Sequence, residues 1–331
     1  MSAPRVSCIT VTYGSTPTIW AMLESLMRTT SRDDTEIIVV TQPDDHGSMA
    51  TQIAERYASI HVIALDENIG FGNANNLAVT RASSERIALL NPDLVLPEGW
   101  LAPLEASLED SSVTIVAPPL LTALGEVDEA GQIMYSDGGS EPLGRSGFVA
   151  PYDRMMFSRD VDYSSAACWL MRRADFIELG GFSPEYAPAY FEDVDLAFRV
   201  WRRGGRCRLE SKRPVIHDHS DASPDRVALA VRSREVFRAK WAEDLVRQPC
   251  RSIDSESCER VRDHRCNEHR RIDIARRTSD EDATKMVDEA GRWAADHPTD
   301  RVTVWSDRRP VLEAWRRTWS HLGLEIVTNE S

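Results

Sequence analysis

From Val6 to Leu90, β-branched runs alternate with segments of helical periodicity, and this alternation leaves the chain few folds to adopt. Val6-Ser-Cys-Ile-Thr-Val-Thr-Tyr13 is apolar and β-branched, as a strand buried on both faces must be. Ser15 or Thr16 can cap the helix that follows, Pro17 suits its first position, and Ile19, Met22, Leu23 and Leu26 repeat at i, i+3, i+4 and i+7. Glu36–Val40 and Ile60–Leu65 read as the second and third strands, with Ala50–Tyr57 helical between them. Arg86–Leu90 is a fourth strand and Val113–Ala117 a fifth. Such alternation builds an α/β, doubly wound sheet flanked by helices, whose ligands bind beyond the carboxyl ends of the strands.

A chain of 331 residues exceeds one average domain. We expect a large domain over residues 1–247, a linker or exposed helix over 248–279 and a small C-terminal α/β appendage over 280–331. In the appendage Asp280–Ala295 and Val311–Leu322 read as helices, and Val302–Trp305 and Leu324–Val327 as strands. Two strands do not hold a sheet alone. They are therefore expected to extend the main sheet, to pack with a partner chain, which is a route to a homo-oligomer, or to join another protein. Trp315 and Trp319 read as core of that piece. The net charge of −14 argues against nucleic acid as a partner. No apolar run approaches the ~20 residues of a membrane span, and residues 1–20 lack a signal-peptide layout. The expected location is cytoplasmic, with peripheral attachment to the inner face of a membrane left open. Among six cysteines, Cys8, Cys168 and Cys207 fall in or beside strands and read as core thiols. Cys258, His264, Cys266 and His269 fit no zinc spacing and read as scattered surface residues.

Chemistry concentrates just after the strands. Asp66-Glu-Asn-Ile-Gly-Phe-Gly-Asn-Ala-Asn-Asn76 opens a helix toward Ala82. Its two glycines let backbone approach a ligand, and the helix N-terminus attracts an anion. Gly-x-Gly is also a common turn, and the third glycine of a dinucleotide fingerprint is missing. Asn91-Pro92-Asp93 sets an amide and a carboxylate two residues apart at a strand's carboxyl end. That arrangement suits oxygen ligands of Mg²⁺ or Mn²⁺, and equally a proline turn with an Asx bond. Residues 125–165 are rich in Gly, Asp and Ser, a length typical of a lid or binding loop. Ala167–Met171 is strand-like. Pro214–His219 is a strand whose histidines the sheet can carry toward the carboxylates.

Between Pro188 and Gly204-Gly205 the spacing predicts a helix, with Val194, Ala197, Phe198 and Trp201 as its buried stripe. Glu192, Asp195, Arg199 and Arg203 fall toward solvent, where helix-dipole and i, i+4 pairing account for the acids. Asp193 falls at the edge of the stripe beside Val200. A carboxylate there can lose solvation, gain a raised pKa and act as a base.

Taken in order, Val11-Thr12-Tyr13, Asn68–Asn76, Leu90-Asn-Pro-Asp93 with Leu96–Trp100, Gly180-Gly181-Phe182, Phe191–Leu196, His217 and Arg232–Trp241 resemble the inverting GT-A glycosyltransferases of family 2, particularly their rhamnosyltransferase-like branch. The resemblance spans about residues 5–245. It implies a GT-A-type mixed sheet and transfer of a sugar, rhamnose or a similar deoxyhexose, from a nucleoside-diphosphate donor to an acceptor hydroxyl with inversion. The acceptor would be a glycan, a lipid-linked saccharide or a small molecule. Asp193 is implied as the base with Glu192 beside it in the catalytic pair. Asp93 and His217 are implied as ligands of Mg²⁺ or Mn²⁺, with His219 a weaker candidate. Thr12, Tyr13, Thr41, Asn68, Gly70, Phe71, Gly72, Asn75, Asn91 and Trp169 are implied on the sugar donor. Two positions depart from the family. Thr41 stands where an aspartate usually reads the base, leaving Asp44 or Asp45 to compensate, and Asn91 replaces the first metal aspartate. These departures keep open an inactive sugar-nucleotide-binding protein of the same fold. A sugar nucleotidyltransferase would need a basic, Gly-rich phosphate loop that Tyr13–Pro17 lacks.

Overall fold

The computed structural model describes residues 4–14, 17–31, 33–43, 49–144, 156–218, 224–251, 265, 269–275, 278–297, 301–306 and 324–327. Ser15, Thr16, Asp44, Asp45, His219, Cys258, His264, Cys266 and Val311–Leu322 with its tryptophans lie outside them. The chain begins β1 (Val6–Tyr13), α1 (Ile19–Thr29), β2 (Thr35–Gln42), α2 (Met49–Arg56), β3 (His61–Ala64), α3 (Phe71–Arg81) and β4 (Arg86–Leu90). It continues through β5 (Leu94–Val95), α4 (Leu101–Leu108), β6 (Val113–Ala117), β7 (Leu120–Leu121), β8 (Val127–Glu129), β9 (Gln132–Met134), β10 (Ser140–Pro142), β11 (Arg159–Asp160) and β12 (Cys168–Arg172). Then come α5 (Arg173–Glu178), a 3₁₀ turn (Pro184–Tyr186), α6 (Glu192–Arg202), β13 (Arg206–Leu209), β14 (Val215–His217), α7 (Pro224–Lys240) and α8 (Ala242–Leu245).

Eight strands form one mixed sheet in the order β11-β13-β6-β12-β4-β1-β2-β3. β1 is parallel to both β2 and β4, so the strand order reverses there, and the ligand crevice expected at such a reversal lies beyond Tyr13 and Leu90. β12 runs antiparallel between β4 and β6. One face of the sheet is covered by α1, α2 and α4 through residues such as Ile19, Met22, Leu23 and Leu104. The other is covered by α3, α5, α6 and α7 through Ala78, Phe176, Phe198 and Phe237. Cys8, Cys168 and Cys207 are buried free thiols, as their strand positions required. A smaller sheet, β5-β14-β7-β8, sits beyond the carboxyl ends of β4, β6 and β13, the strands that lead into it. Part of the glycine-rich 125–165 stretch is therefore strand: it supplies β8 to β11.

The helix from 192 keeps its apolar stripe but not its solvated face. Val194, Ala197 and Phe198 are buried, as the spacing required. Glu192 at 6% exposure and Asp195 at 0% are buried too, contrary to expectation. Asp195 goes inside because partners there replace water. Its Oδ1 accepts from Tyr186 Oη (3.2 Å) and Trp241 Nε1 (2.8 Å), and Lys240 Nζ lies at 2.7 Å. Its Oδ2 accepts from Ser183 Oγ (3.0 Å) and Arg199 Nε (2.9 Å).

The C-terminal segment also differs from expectation. β15 (His269–Asp273), within the stretch read as a linker, pairs in parallel with β16 (Arg301–Trp305), and β16 pairs with β17 (Leu324–Val327). Helix α9 (Asp280–Asp296) packs Ala283, Val287, Ala290 and Ala294 against Val302 and Val304. Three strands and a helix thus supply a core that two strands would lack.

Burial alone would raise the Asp195 pKa, but the Lys240 bond and the Arg199 charge outweigh it, leaving the carboxyl below its ordinary 3.8. Its stabilisation is therefore complete above that value and lost only as pH falls through the lower folded one. Asp195→Ala, which strands these cations, should cost about 3–5 kcal/mol in urea unfolding at neutral pH. A loss under about 1 kcal/mol would show that the network does not hold the fold.

Candidate active site

The small sheet brings the two expected metal residues together. β14 pairs antiparallel with β5 so that His217 opposes Leu94, which sets its imidazole beside the preceding residue, Asp93. His217 Nε2 lies 3.3 Å from Asp93 Oδ1, and His217 Nδ1 lies 3.5 Å from Asp128 Oδ2. Burial opposes charging the ring, but hydrogen bonding to Asp128 and Asp93 and their charges prevail, and the pKa rises to about 9. Asp128 was missed in the sequence because it stands in a three-residue strand without readable period. Among the described residues no three His, Cys, Asp or Glu side chains form a ready metal cage. Asp93 and His217 nevertheless fit one side of a divalent cation: a carboxylate oxygen and an imidazole nitrogen, both ordinary ligands of such an ion, converge at the mouth of the small sheet.

Asp193 stands at the start of α6, half-buried as its place on the stripe edge required. Its Oδ1 accepts from Val194 N at 2.8 Å and its Oδ2 from Ala166 N at 3.4 Å. Burial raises its pKa, and those two amides restrain the rise. Glu192 has less help: its own backbone amide lowers its pKa a little, and its Oε2 is buried without a hydrogen-bond partner. Burial first, and the Asp193 charge second, push its pKa well above the usual carboxylate range. Glu192 therefore keeps the proton of the pair while Asp193 ionises. Glu192 lines a cleft of about 160 Å³ with Gly72, Asn73, Ser183, Pro184 and Tyr186.

The turn before β12 joins the two halves of the site. Ser165 N donates to Glu129 Oε1 (2.7 Å), Ala166 N to Asp193, and Ala167 O accepts from Asn91 N (2.8 Å). Glu129, also absent from the sequence reading, is buried, and desolvation lifts its pKa to about 7 against the Ser165 and Gln132 bonds. It feels the charges of both Asp193 and His217, which sets that carboxylate and the imidazole in one neighbourhood.

The expected sugar-donor residues divide. Tyr13 is 63% exposed at the end of β1, while Thr12 (1%) and Thr41 (5%), paired across β1 and β2, are closed off. Gln42, next to Thr41, holds the loop before α3: its Oε1 accepts from Ile69 N (2.9 Å) and Gly70 N (3.1 Å). Asn68 Oδ1 also accepts from Gly70 N, and Phe71 N donates to Pro188 O. The amides of 69–71 are thus spent within the protein. Gly70 adopts φ +87°, and a Cβ there would come within 2.8 Å of Pro188 O, so only glycine fits. Gly72 and Phe71 are half-buried, the latter packed on Phe182. Asn75 is buried and spends its amide on Phe71 O. Trp169 is fully buried, with its indole N–H bonded to Ser164 O. Both are buried, and each gives its side-chain N–H to a backbone carbonyl.

Comparison with known proteins agrees with this architecture. The family model "Glycosyl transferase family 2" matches residues 7–180. An uncharacterized protein, y4gI of Sinorhizobium fredii, is 26% identical over 255 residues, covering 72% of this chain and 28% of that relative. The chain thus spans about a quarter of that protein's length. N-acetylglucosaminyl-diphospho-decaprenol L-rhamnosyltransferase of Mycobacterium tuberculosis is 26% identical over 231 residues, 63% of this chain and 74% of the relative. The crystal structure of GalNAc-T7 with UDP, GalNAc and Mn²⁺ superposes with a TM-score of 0.60 at 15% identity, over 78% of this chain and 54% of that one. A likeness at that identity speaks for the fold. With its larger domain matched over residues 7–180 and built on a GT-A-type mixed sheet, the chain belongs to glycosyl transferase family 2.

Proposed function

We propose that the chain is an inverting glycosyltransferase, with Asp193 as its base, that moves a sugar from a nucleoside diphosphate to an acceptor hydroxyl. The observation that carries this reading is the ionisable, half-buried Asp193 held by two backbone amides in the same neighbourhood as the Asp93–His217 pair. Asp193 takes the proton of the acceptor hydroxyl while that oxygen bonds to the anomeric carbon from the face opposite the diphosphate. The bond from carbon to the diphosphate oxygen breaks with its electron pair on the leaving group, so the anomeric centre inverts. Asp93 and His217 would hold a divalent cation, which supplies charge neutralisation to the leaving diphosphate. The exposed Tyr13 ring offers a face for the nucleoside. Rhamnose or a similar deoxyhexose is the favoured sugar and a lipid-linked saccharide the first acceptor to try, after the M. tuberculosis relative named above. No described helix is long and apolar enough to cross a membrane, so such an acceptor would be met at the membrane surface.

The two acids of the pair should separate by substitution. Asp193→Asn should lower kcat about 10²–10⁴-fold with sugar-nucleotide binding kept. Glu192→Gln should stay within about tenfold of native kcat, because a neutral amide replaces a neutral acid. Equal losses in the two variants would remove Asp193 from its role. The acid limb of kcat/KM should lie above the ordinary aspartate value of 3.8, since the base is protonated below its raised pKa.

Stripping divalent metal should lower turnover at least about a hundredfold, with recovery on adding Mn²⁺ or Mg²⁺. Unchanged turnover in chelator, measured with a panel of nucleotide sugars, would remove Asp93 and His217 from theirs.

A further inference from the structure

One imidazole between two carboxylates is an unbalanced arrangement. Even with His217 fully charged, Asp93 and Asp128 leave the group one negative charge in excess, and Glu129 stands close enough to feel the ring. Asp128 is 4% exposed, so its carboxylate meets the His217 ring inside the protein.

The backbone puts it there deliberately. In the β7–β8 pair Leu120 opposes Glu129 while the next residue, Leu121, opposes Val127, so Asp128 is the extra residue of a β-bulge. A bulge re-aims the side chain it carries. Here it delivers Asp128 to the Nδ1 edge of His217, while Nε2, on the other side of the ring, faces Asp93.

We propose that Asp128 is a positioning residue for a divalent-cation site made by Asp93 and His217. By accepting a hydrogen bond from Nδ1–H of His217, it holds the ring in the tautomer and pose that turn the Nε2 lone pair toward the Asp93 carboxylate. This inference rests on the reading of Asp93 and His217 as cation ligands. The physical logic is general: a ligating histidine needs its other nitrogen protonated and anchored, and a carboxylate there both fixes the ring and increases the electron density at the ligating nitrogen. It also settles the charge. Two carboxylates, a neutral imidazole and one divalent cation sum to zero. Asp128 lies on the opposite edge of the ring from the cation, so it acts through His217.

The test uses the full chain and Mn²⁺ alone, with free Mn²⁺ read by electron paramagnetic resonance and ring ligation by the ¹⁴N modulation that a coordinated imidazole imposes on the Mn²⁺ echo. Asp128→Ala should weaken Mn²⁺ binding about 10–100-fold and diminish the nitrogen modulation. Asp128→Asn, whose amide oxygen can still accept the Nδ1 proton, should fall between Ala and native. That ranking, which a loss of bulk charge alone would not produce, marks positioning. Melting temperatures recorded beside it separate a loss of fold. Should the Ala variant fail to fold, the Asn variant decides alone, and native affinity in it overturns the proposal. The proposal is equally overturned if both variants bind Mn²⁺ with native affinity and modulation while Asp93→Asn and His217→Gln lose it; Asp93 and His217 then remain ligands without Asp128. If Asp93→Asn and His217→Gln bind Mn²⁺ as well as the native chain, the cation reading itself fails and takes this inference with it.

Discussion

Asp195 is the knot on which the geometry of the site depends. It is wholly buried, and its donors come from separate pieces of chain: Ser183 and Tyr186 at the 3₁₀ turn, Arg199 one turn along α6, and Lys240 and Trp241 at the end of α7. Such a carboxylate fixes α6 against sliding or rotation, because any displacement strands several partners at once. That fixity is needed just upstream, where Tyr190 (φ 77°) and Phe191 (φ 69°) take left-handed conformations that cost on the order of 1–3 kcal/mol each. Phe71 N and the side chains of Arg232 and Ser233 donate to the carbonyls of Pro188, Ala187 and Ala189, and Phe191 packs on Phe237. The sharp entry into α6 is thereby held, and it points the first turn, with Asp193, at the turn before β12.

The opposite wall of the site takes its precision from the main sheet. β4, β6 and β13 each cross its carboxyl edge and re-pair as β5, β7 and β14, so Asp93 and His217 inherit the register of a buried scaffold. The amides of Ser165 and Ala166 then fasten Glu129 and Asp193 side by side. Only loops short enough to have no slack separate the chemistry from the core.

What the sequence disclosed follows the same division. Strands β1 and β4 could be placed to the residue, because a strand buried on both faces must be continuously apolar. The positions of Asp93, Asp193 and His217 were legible from strand ends and a helical stripe. The stripe misplaced Glu192 and Asp195, since a helical wheel assigns charge to solvent and has no term for donors arriving from Tyr186, Lys240 and Trp241. Asp128 and Glu129 were hidden because a bulge erases the period of two by which a strand is recognised. β15 was hidden by its own composition: His269-Arg-Arg-Ile-Asp273 carries too much charge to look like a strand until β16 is paired to it. Gln42 was hidden for a different reason: it ends a strand like any polar residue, and only the fold brings the amides of Ile69 and Gly70 to its side chain.

Glu192 and Asp195 show why such errors matter. They sit three residues apart on one helix, both buried, yet their pKa values move in opposite directions. Burial pushes both upward. Asp195 meets two cations and three neutral donors and comes out below its ordinary value, whereas Glu192 has an unpartnered oxygen and the Asp193 charge beside it, and comes out far above. Asp193 stands between them, with two amides and, among the described residues, no cation: burial raises its pKa and the amides hold the rise back. Three acids on a single turn thus become a structural anion, a neutral acid and a carboxylate free to exchange its proton. The sorting is done by where the donors are, and those donors are placed by elements distant in sequence. A motif records which acids are present; only the packing of α7, the 3₁₀ turn and the turn before β12 around them decides which one can take a proton.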